Sequence, residues 1–380
     1  MWTRRQFLSR GVGLSVGLAS GGLALSAFND DVPDGSQSRG MITAPAQEAI
    51  NMGLAYLARE QHPDGSFGTN QHRGNVAITS LAGLALMSGG HQPGRGRYGQ
   101  IVTRALQFVL DQERVGQQPG FLHNRNAILH GPMYGHGFGT LFLAEAHGMV
   151  NNRELRTRLR GTLERAVTLI INTQNDEGGG GREPMGGWRY HPQKQDADIS
   201  VTICQIMALR AARNAGIAVP KSVADKCTRY VKACQDIRGD GGFRYMRGGG
   251  PTGFARTAAG VVALYSAGVY KDESVQKGLD YLYKRCRPGA VDQRGGFMNR
   301  QDMLMHYYYG HYYAVQAMWT AGGDYWRGWY PAIRDELINH PDRDRQVGCW
   351  NDRRICPHYC TAMACIILQI PNNYLPILQR

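Results

Sequence analysis

The stretch CTRYVKACQDIRGDGGF, from Cys227 to Phe243, contains the unit from which the fold can be inferred. It reads as the end of a helix, then Gln235, then a glycine-rich break and a closing phenylalanine. A glutamine amide near a helix end can bond to backbone carbonyls that the helix leaves without partners. The stretch therefore predicts a helix, a tight turn and an aromatic side chain that plugs the turn.

The same unit recurs along the chain. The other copies are GLAYLAREQHPDGSFG, ALQFVLDQERVGQQPGF, AVTLIINTQNDEGGGG followed by GGW, GLDYLYKRCRPGAVDQRGGF and the degenerate AIRDELINHPDRDRQVGCW. The closing aromatics are Phe67, Phe121, Trp188, Phe243, Phe297 and Trp350. They are 54, 67, 55, 54 and 53 residues apart, and such a period indicates a repeat architecture. The longer spacing of 67 residues, which ends at the third repeat, fits an insertion at residues 177–192.

A second helix follows each turn, and it is apolar on nearly all sides. Examples are VAITSLAGLALM, TAAGVVALYSAG and CTAMACIILQI. Such a helix must be buried, whereas the first helix of each unit carries an apolar stripe, as at Leu54, Leu57 and Ala58. Six hairpins with amphipathic outer helices and buried inner helices predict an all-α protein, an (α/α)6 toroid over residues 47–380.

The glutamine, glycine and aromatic pattern resembles the QW repeats of the squalene-hopene cyclase and protein prenyltransferase superfamily. The resemblance covers about Gln47 to Arg380. It implies a toroid with an apolar central cavity and, as an expectation, chemistry on isoprenoids. Exported bacterial paralogues with such repeats and no known reaction also resemble this chain.

The N-terminus predicts export. Arg4 and Arg5 precede Phe7 and Leu8, and a glycine-rich apolar run with small residues near Ala27 follows. The paired arginines are typical of a twin-arginine signal peptide, here residues 1–27, with a linker over 28–46. A retained anchor is the alternative, although the run is short for a membrane span. We expect a periplasmic or membrane-associated protein.

The composition limits which kinds of partner the protein is expected to bind. The chain has a formal net charge of +13, and loss of residues 1–27 leaves +10. This surplus suits anionic substrates or anionic surfaces, such as a membrane surface, but no block of like charge predicts nucleic-acid binding. The eight cysteines all lie at or after Cys204, and the positions of Cys204 and Cys365 in apolar runs favour buried free thiols.

The inner helices can be aligned by a shared polar position. Seven residues before the last common apolar residue stand Thr79, His136, Thr202, Thr257, His311 and Thr361. Class II terpene cyclases carry Asp-x-Asp-Asp-Thr at the start of an inner helix, and the middle acid protonates the alkene. In the aligned register this motif falls on Asp198 to Thr202, so Ser200 stands where the resemblance places the proton donor. A looser register uses Asp196 and Asp198 as the motif.

Asp196 and Asp198 therefore have two interpretations. They can be catalytic acids, because an apolar cavity favours the protonated carboxyl group that donates to an alkene. They can instead cap the inner helix and complement its dipole.

The resemblance offers a second test in the zinc ligands of protein prenyltransferases. The equivalent positions hold Tyr308, Gly310 and Cys360, so the expected zinc site is missing and we predict no cofactor. A rearranged cluster of Cys356, His358 and Cys360 is a weak metal candidate, because ligands two residues apart do not share one helical face. Buried thiols are the alternative.

Further polar and aromatic residues are candidates for the cavity. His136 and His311 lie three repeats apart, hence on opposite sides of a six-unit ring, and either bond between helices or act as a base. Tyr134, Tyr307 and Tyr308 either line an aromatic pocket or pack against outer helices. The last candidate, Arg256, follows the glycine-rich loop at 247–253 and either holds an anion or borders a simple turn.

Two functions remain open from the sequence. The first is an exported terpenoid-cyclase-like enzyme that acts on an isoprenoid or similar apolar ligand with Asp196 or Asp198 as the acid. The second is a non-catalytic toroid that binds a ligand or a protein partner.

Overall fold

Twelve α-helices form the described part of the computed structural model, which covers residues 36–115, 118–127, 131–175, 186–194, 196–289 and 303–379. The first helices of the hairpins are α1 Ala44–Glu60, α3 Gly99–Val115, α5 Arg153–Asn172, α7 Lys221–Ala233, α9 Glu273–Arg285 and α11 Gly323–Asn339. The second helices are α2 Val76–Ser88, α4 Pro132–His147, α6 Ile199–Asn214, α8 Phe254–Ser266, α10 Tyr307–Ala321 and α12 Pro357–Gln369. The sequence prediction of six helical hairpins is confirmed.

The second helices form a closed inner ring. Each one packs against the next, and α12 packs against α2. They are buried on every side because they lack a polar face, and all thirteen residues of α2 are buried. The outer helices expose polar residues, as the amphipathic sequences of α7 and α9 require. None of the described helices is both long and apolar enough to span a membrane.

Strands are confined to two small hairpins in the described residues. β1 Arg244–Met246 pairs with β2 Gly249–Thr252, and β3 Arg343–Asp344 pairs with β4 Cys349–Trp350, both antiparallel. Each hairpin occupies the turn between an outer and an inner helix. Most of the glycine-rich loop at 247–253 is therefore the second half of a hairpin.

The glutamines of the repeat join neighbouring hairpins. The Gln235 amide donates to the carbonyl of Gly241 in its own turn at 2.9 Å and to that of Ser274 at the start of α9 at 2.8 Å. Gln61 and Gln174 do the same with the first turns of α3 and α7. The expectation that the glutamine bonds to its own helix holds only for Gln112, which donates to Phe108.

The shared threonines hold the closing aromatics. The Thr79 hydroxyl accepts the backbone N–H of Phe67 at 3.0 Å, and Thr202 accepts that of Trp188 at 3.1 Å. Thr257 and Thr361 accept from Phe243 and Trp350 in the same way. In these four repeats the regular polar position therefore fixes the turn to the start of its inner helix.

Aromatic side chains meet across the middle of the ring. The ring centroids of Phe138 on α4 and Tyr312 on α10 are 6.1 Å apart, although these helices are three inner helices apart. The Cys204 sulfur on α6 lies 3.4 Å from the Tyr313 hydroxyl on α10. The resemblance implied an open central cavity, but at this level side chains fill the centre because large aromatics project inward from opposite helices.

The chain beyond α12 lies against the C-terminal ends of inner helices. The Ile377 N–H donates to the Glu145 carboxylate at 3.2 Å, and the Trp319 indole donates to the Leu378 carbonyl at 3.0 Å. Leu375, Ile377 and Leu378 are buried there. This segment therefore packs onto the end of the ring opposite to the glycine-rich turns.

Candidate functional site

A group of partly exposed polar side chains lies at the N-terminal ends of four inner helices. We call it the tyrosine recess and define it by Tyr134, Ser200, Tyr309 and Tyr359. The Tyr134 and Ser200 hydroxyls are 2.6 Å apart, and the Tyr309 hydroxyl donates to the Ser200 carbonyl at 2.9 Å. Tyr359 occupies on α12 the first-turn position that Tyr309 occupies on α10. Because each of the four residues stands two places before the shared polar position of its helix, they lie at the same end of the ring.

The floor of the recess is formed by the Cys204–Tyr313 pair. The Tyr309 and Tyr313 rings are in edge-to-face contact at 4.9 Å, which continues the aromatic lining downward. Burial raises the pKa of the Cys204 thiol to about 12. Because a thiol must ionise to be a good nucleophile, Cys204 is an inert part of the floor.

Asp198 lies directly behind Ser200 and caps α6. Its Oδ1 atom accepts the backbone N–H groups of Ser200 and Val201, both at 2.9 Å, and the Ser200 hydroxyl at 2.5 Å. The side chain is completely buried. The helix α6 begins at Ile199 with Asp198 as its N-cap, so Ser200 is the second residue of the helix. The assignment of Ser200 to the proton-donor position of the cyclase motif stays a prediction.

The second carboxyl oxygen of Asp198, Oδ2, has fewer polar contacts than Oδ1. Among the described residues no hydrogen bond reaches Oδ2, and the Arg189 Nη1 atom lies 3.6 Å from it. Burial raises the pKa of Asp198, while the bonds from Ser200 and Val201 and the charge of Arg189 oppose this. The carboxyl group therefore favours the protonated form more than an exposed aspartate does.

Asp196 is a different kind of residue from Asp198. Its side chain is 43% exposed, its Oδ1 atom accepts its neighbour's N–H at 2.7 Å, and its Oδ2 atom lies 3.7 Å from Arg189. It therefore lies before the cap, in contact with solvent.

Arg189 was missed by the sequence reasoning. Its guanidinium group lies between Asp196 and Asp198 and stacks over the rings of Tyr190 and Tyr245 at 4.7 and 5.5 Å. The two tyrosine hydroxyls bond to each other. The sequence does contain an indication of this placement. Arg189 directly follows the closing aromatic Trp188, in the segment that leads from the turn to the acids at the start of the next helix.

His136 lies within α4 and bonds to the turn before it, not to the recess. Its Nδ1 atom accepts the Leu122 N–H at 3.3 Å, and its Nε2 atom is 3.2 Å from the Ala166 carbonyl on α5. Burial lowers its pKa to about 4, so the ring is neutral. It therefore fixes its turn as the repeat threonines do and bonds between helices, which is the first of the two alternatives that the sequence left open.

His311 and two tyrosines also pack away from the recess. His311 is buried between Phe254 and Tyr307, and burial lowers its pKa to about 3. The Tyr307 hydroxyl donates to Glu336 on α11 at 2.7 Å, and both Tyr307 and Tyr308 lie near the His340 ring. The alternative of packing against the outer layer therefore describes Tyr307 and Tyr308, while Tyr134 lines the recess as expected.

The remaining candidates are dispersed. Arg256 is partly exposed in the first turn of α8, beyond the β1–β2 hairpin. His358 accepts the Gly68 N–H at 2.8 Å, whereas the Cys360 sulfur accepts the Asp352 N–H at 3.4 Å. In the described ranges no group of three or more His, Cys, Asp or Glu side chains could hold a metal ion. Cys356, like the other seven cysteines, is a buried free thiol.

Comparison with known proteins shows the fold alone. No protein-family model matches the sequence, and no curated protein matches it either. Among solved structures, the type II terpene cyclase MstE from Scytonema matches with a TM-score of 0.54 and 15% sequence identity. The match covers 88% of this chain and 100% of the MstE chain. MstE has also been captured with a geranylgeranyl dihydroxybenzoate substrate.

Two carbohydrate-active toroids are similar to the same degree. The α-1,6-mannanase GH76A of Salegentibacter sp. HEL1_6 has a TM-score of 0.57 at 9% identity, over 85% of this chain and 98% of that chain. Cellobiose 2-epimerase from Spirochaeta thermophila DSM 6192 has a TM-score of 0.54 at 13% identity, over 88% of this chain and 97% of the epimerase chain. The chain is therefore an α/α toroid that resembles both terpene cyclases and sugar-active enzymes.

Proposed function

We propose that the protein is an exported toroid that binds an apolar, isoprenoid-type small molecule in the tyrosine recess, and that it binds this ligand without cyclising it. The faces of Tyr134, Tyr309 and Tyr359 supply apolar contact surface with polar tips, which suits a ligand that is mostly hydrocarbon. One structural neighbour, MstE, binds a geranylgeranyl compound, which supports this ligand class as an expectation.

The observation that carries the proposal is that a hydroxyl, and not a carboxyl group, faces the recess. Ser200 is partly exposed there, where the resemblance places the proton donor, and Asp198 behind it is completely buried. A serine hydroxyl is far too weak an acid to protonate an alkene. Asp198 is strong enough, but Ser200 separates its carboxyl group from any ligand in the recess.

Acid catalysis by Asp198 is the second candidate. Two features favour it: Oδ2 lacks a hydrogen bond from any described residue, and burial raises the pKa of Asp198. Groups perturbed in this way are enriched at active sites. A proton transfer to a ligand would require Ser200 to move aside, so that Oδ2–H could approach the double bond.

Product analysis separates the two candidates. The purified mature protein is incubated with squalene or geranylgeraniol, and the extracted lipid is analysed by gas chromatography and mass spectrometry. We expect the lipid to be recovered unchanged from the wild type, Asp198→Asn and Ser200→Ala. A cyclised product that disappears in Asp198→Asn but persists in Ser200→Ala would establish the acid reaction and overturn the proposal.

Export and a membrane-surface location complete the proposal. Both rest on the Arg4–Arg5 pair and on the basic surplus that remains after residue 27. Replacement of both arginines by lysine should cause the protein to be retained in the cytoplasm, as measured by fractionation and immunoblotting. If normal amounts of this variant protein were found outside the cytoplasm, twin-arginine export would be contradicted. An Arg10→Lys variant, which keeps the arginine pair, is the control.

A further inference from the structure

The hydroxyl protons at the recess can be assigned one by one, beginning at Asp198. Its Oδ1 atom accepts the Ser200 hydroxyl at 2.5 Å together with two backbone N–H groups. A serine hydroxyl has a single proton, which is therefore used in this bond. In the 2.6 Å contact between Tyr134 and Ser200, Tyr134 must then be the donor.

The two tyrosines of α10 also use their protons inside the protein. Tyr309 donates to the Ser200 carbonyl at 2.9 Å. The Cys204 thiol donates to the same carbonyl at 3.4 Å, so in the Cys204–Tyr313 contact the Tyr313 hydroxyl is the donor. Tyr134, Tyr309 and Tyr313 are therefore left with oxygen lone pairs, which accept hydrogen bonds and cannot donate them.

Tyr359 differs from these three tyrosines. No hydrogen bond joins its hydroxyl to another side chain or carbonyl in the described ranges, and its side chain is partly exposed. It can donate one hydrogen bond to a ligand. The recess thus combines acceptors on the Tyr134 side with one available donor on the Tyr359 side.

The Arg189 cation, which lies beside Asp198 behind the recess, does not change this pattern. Arg189 lies 3.6 and 3.7 Å from the carboxylates of Asp198 and Asp196, and Met246 sulfur accepts from it at 3.3 Å. Its charge is matched by two acids, so an anionic head group gains little from it. A phosphate would meet the lone pairs of Tyr134 and Tyr309 instead of donors.

We infer that the recess selects a ligand with a hydroxyl head group on an unsaturated hydrocarbon body, that is, a long-chain alcohol and not its diphosphate. An alcohol can donate its proton to Tyr134 and accept one from Tyr359, which matches both sides of the recess. This inference rests on the proposed function, because it assumes that an isoprenoid-type ligand enters the recess.

Four probes test the inference by fluorescence titration of the full mature chain. They are geranylgeraniol, its methyl ether, geranylgeranyl diphosphate and mannotriose. The ether keeps the hydrocarbon body and loses only the donor. We expect the alcohol to bind roughly tenfold more tightly than the ether or the diphosphate, since one good hydrogen bond gives about 1 kcal/mol or somewhat more.

Two substitutions sharpen the test. Ser200→Ala removes the acceptor of the Tyr134 proton, so Tyr134 can donate to the ligand, and the ether should gain affinity relative to the alcohol. Tyr134→Phe removes the acceptor for the alcohol and should bring its affinity down to that of the ether. Ser222→Ala and Tyr374→Phe, both exposed, are the matched controls and should change nothing. Thermal unfolding of each variant verifies that it is folded.

The possible outcomes test the proton assignment and the proposed function separately. If the ether or the diphosphate binds as tightly as the alcohol, the proton assignment is wrong while the proposed function stands. If none of the prenyl compounds binds, or if mannotriose binds more tightly than the alcohol, the proposed function itself is wrong. An unchanged alcohol-to-ether ratio in Ser200→Ala also contradicts the inference.

Discussion

Phe138 and Tyr312 meet in the middle of the toroid, with ring centroids 6.1 Å apart and an interplanar angle of 64°. They belong to α4 and α10, which lie on opposite sides of the inner ring. Their contact means that the described residues leave no straight channel along the axis at this level. The Tyr312 ring also contacts the Tyr313 ring at 4.8 Å, so the Phe138–Tyr312 pair extends the floor that Cys204 and Tyr313 form, and this floor limits how deep a ligand can enter the tyrosine recess.

The first prediction concerns that floor. Phe138→Ala should lower the free energy of unfolding by about 3–5 kcal/mol, because it removes a buried aromatic and leaves a cavity. It should also deepen the site and shift the preferred prenyl alcohol to a longer chain. Denaturant unfolding and titration with farnesol and geranylgeraniol measure both effects. A Phe138→Leu control should be much milder, and an unchanged chain-length preference in Phe138→Ala would contradict the floor.

The threonines of the repeat should stabilise the fold as a class. Thr257→Val removes the hydroxyl that accepts the Phe243 N–H at 2.9 Å and leaves that N–H buried without a partner. We expect a loss of about 1–3 kcal/mol of unfolding free energy. Within the described residues the Thr228 hydroxyl bonds only to a carbonyl of its own helix, so Thr228→Val is the control and should cost much less. Equal losses would show that the turn contact has no special role.

Acid should destabilise the protein partly through His136. Burial lowers the pKa of His136 from 6.5 to about 4, so the unfolded chain binds this proton at a higher pH than the folded chain does. Its contribution to stability is present above pH 6.5 and is lost as the pH falls towards 4. His136→Thr, the residue of the other repeats, should reduce the slope of unfolding free energy against pH in this window. An unaltered slope would contradict the assignment.

Glu145 should have the opposite effect at higher pH. Burial raises the pKa of Glu145 from 4.5 to about 8, opposed by the Ile377 N–H and the charge of Arg210. The folded chain holds this proton longer than the unfolded chain, so stability falls as the pH rises from 4.5 to 8. Glu145→Gln should flatten that fall and stabilise the protein at pH 9, measured by thermal unfolding. Exposed Glu164 offers the control, since Glu164→Gln should leave the slope unchanged.

The repeat period was sufficient to predict the ring, because each copy has its own helix break and its own buried helix. The register of Thr202 and Thr257 was also visible, since one polar residue in an otherwise apolar helix must have a partner. The destination of the glutamines was not predictable. Gln235 reaches Ser274 of the next hairpin, and a contact 39 residues away depends on how neighbouring units pack.

The candidate site was predicted only in part. Asp198, Ser200 and Tyr134 do lie together, because the first turns of inner helices converge at one end of the ring. Which side a residue faces depends on helix rotation, which a sequence does not fix for a helix that is apolar all round. For this reason the sequence left open whether Tyr307 lines the same wall as Tyr134 or packs against outer helices, where it bonds to Glu336, and Tyr309 was overlooked.

The most direct test of the central claim is a binding titration of geranylgeraniol against the wild type and a Ser200→Leu variant, whose larger side chain fills the tyrosine recess. The account predicts saturation at one ligand per wild-type chain, an affinity at least about tenfold weaker in Ser200→Leu, and no change in the exposed-site control Ser222→Leu. The ligand should be recovered chemically unchanged. The absence of saturable binding, or equal affinity in the wild type and Ser200→Leu, would contradict the claim that the recess is the ligand site.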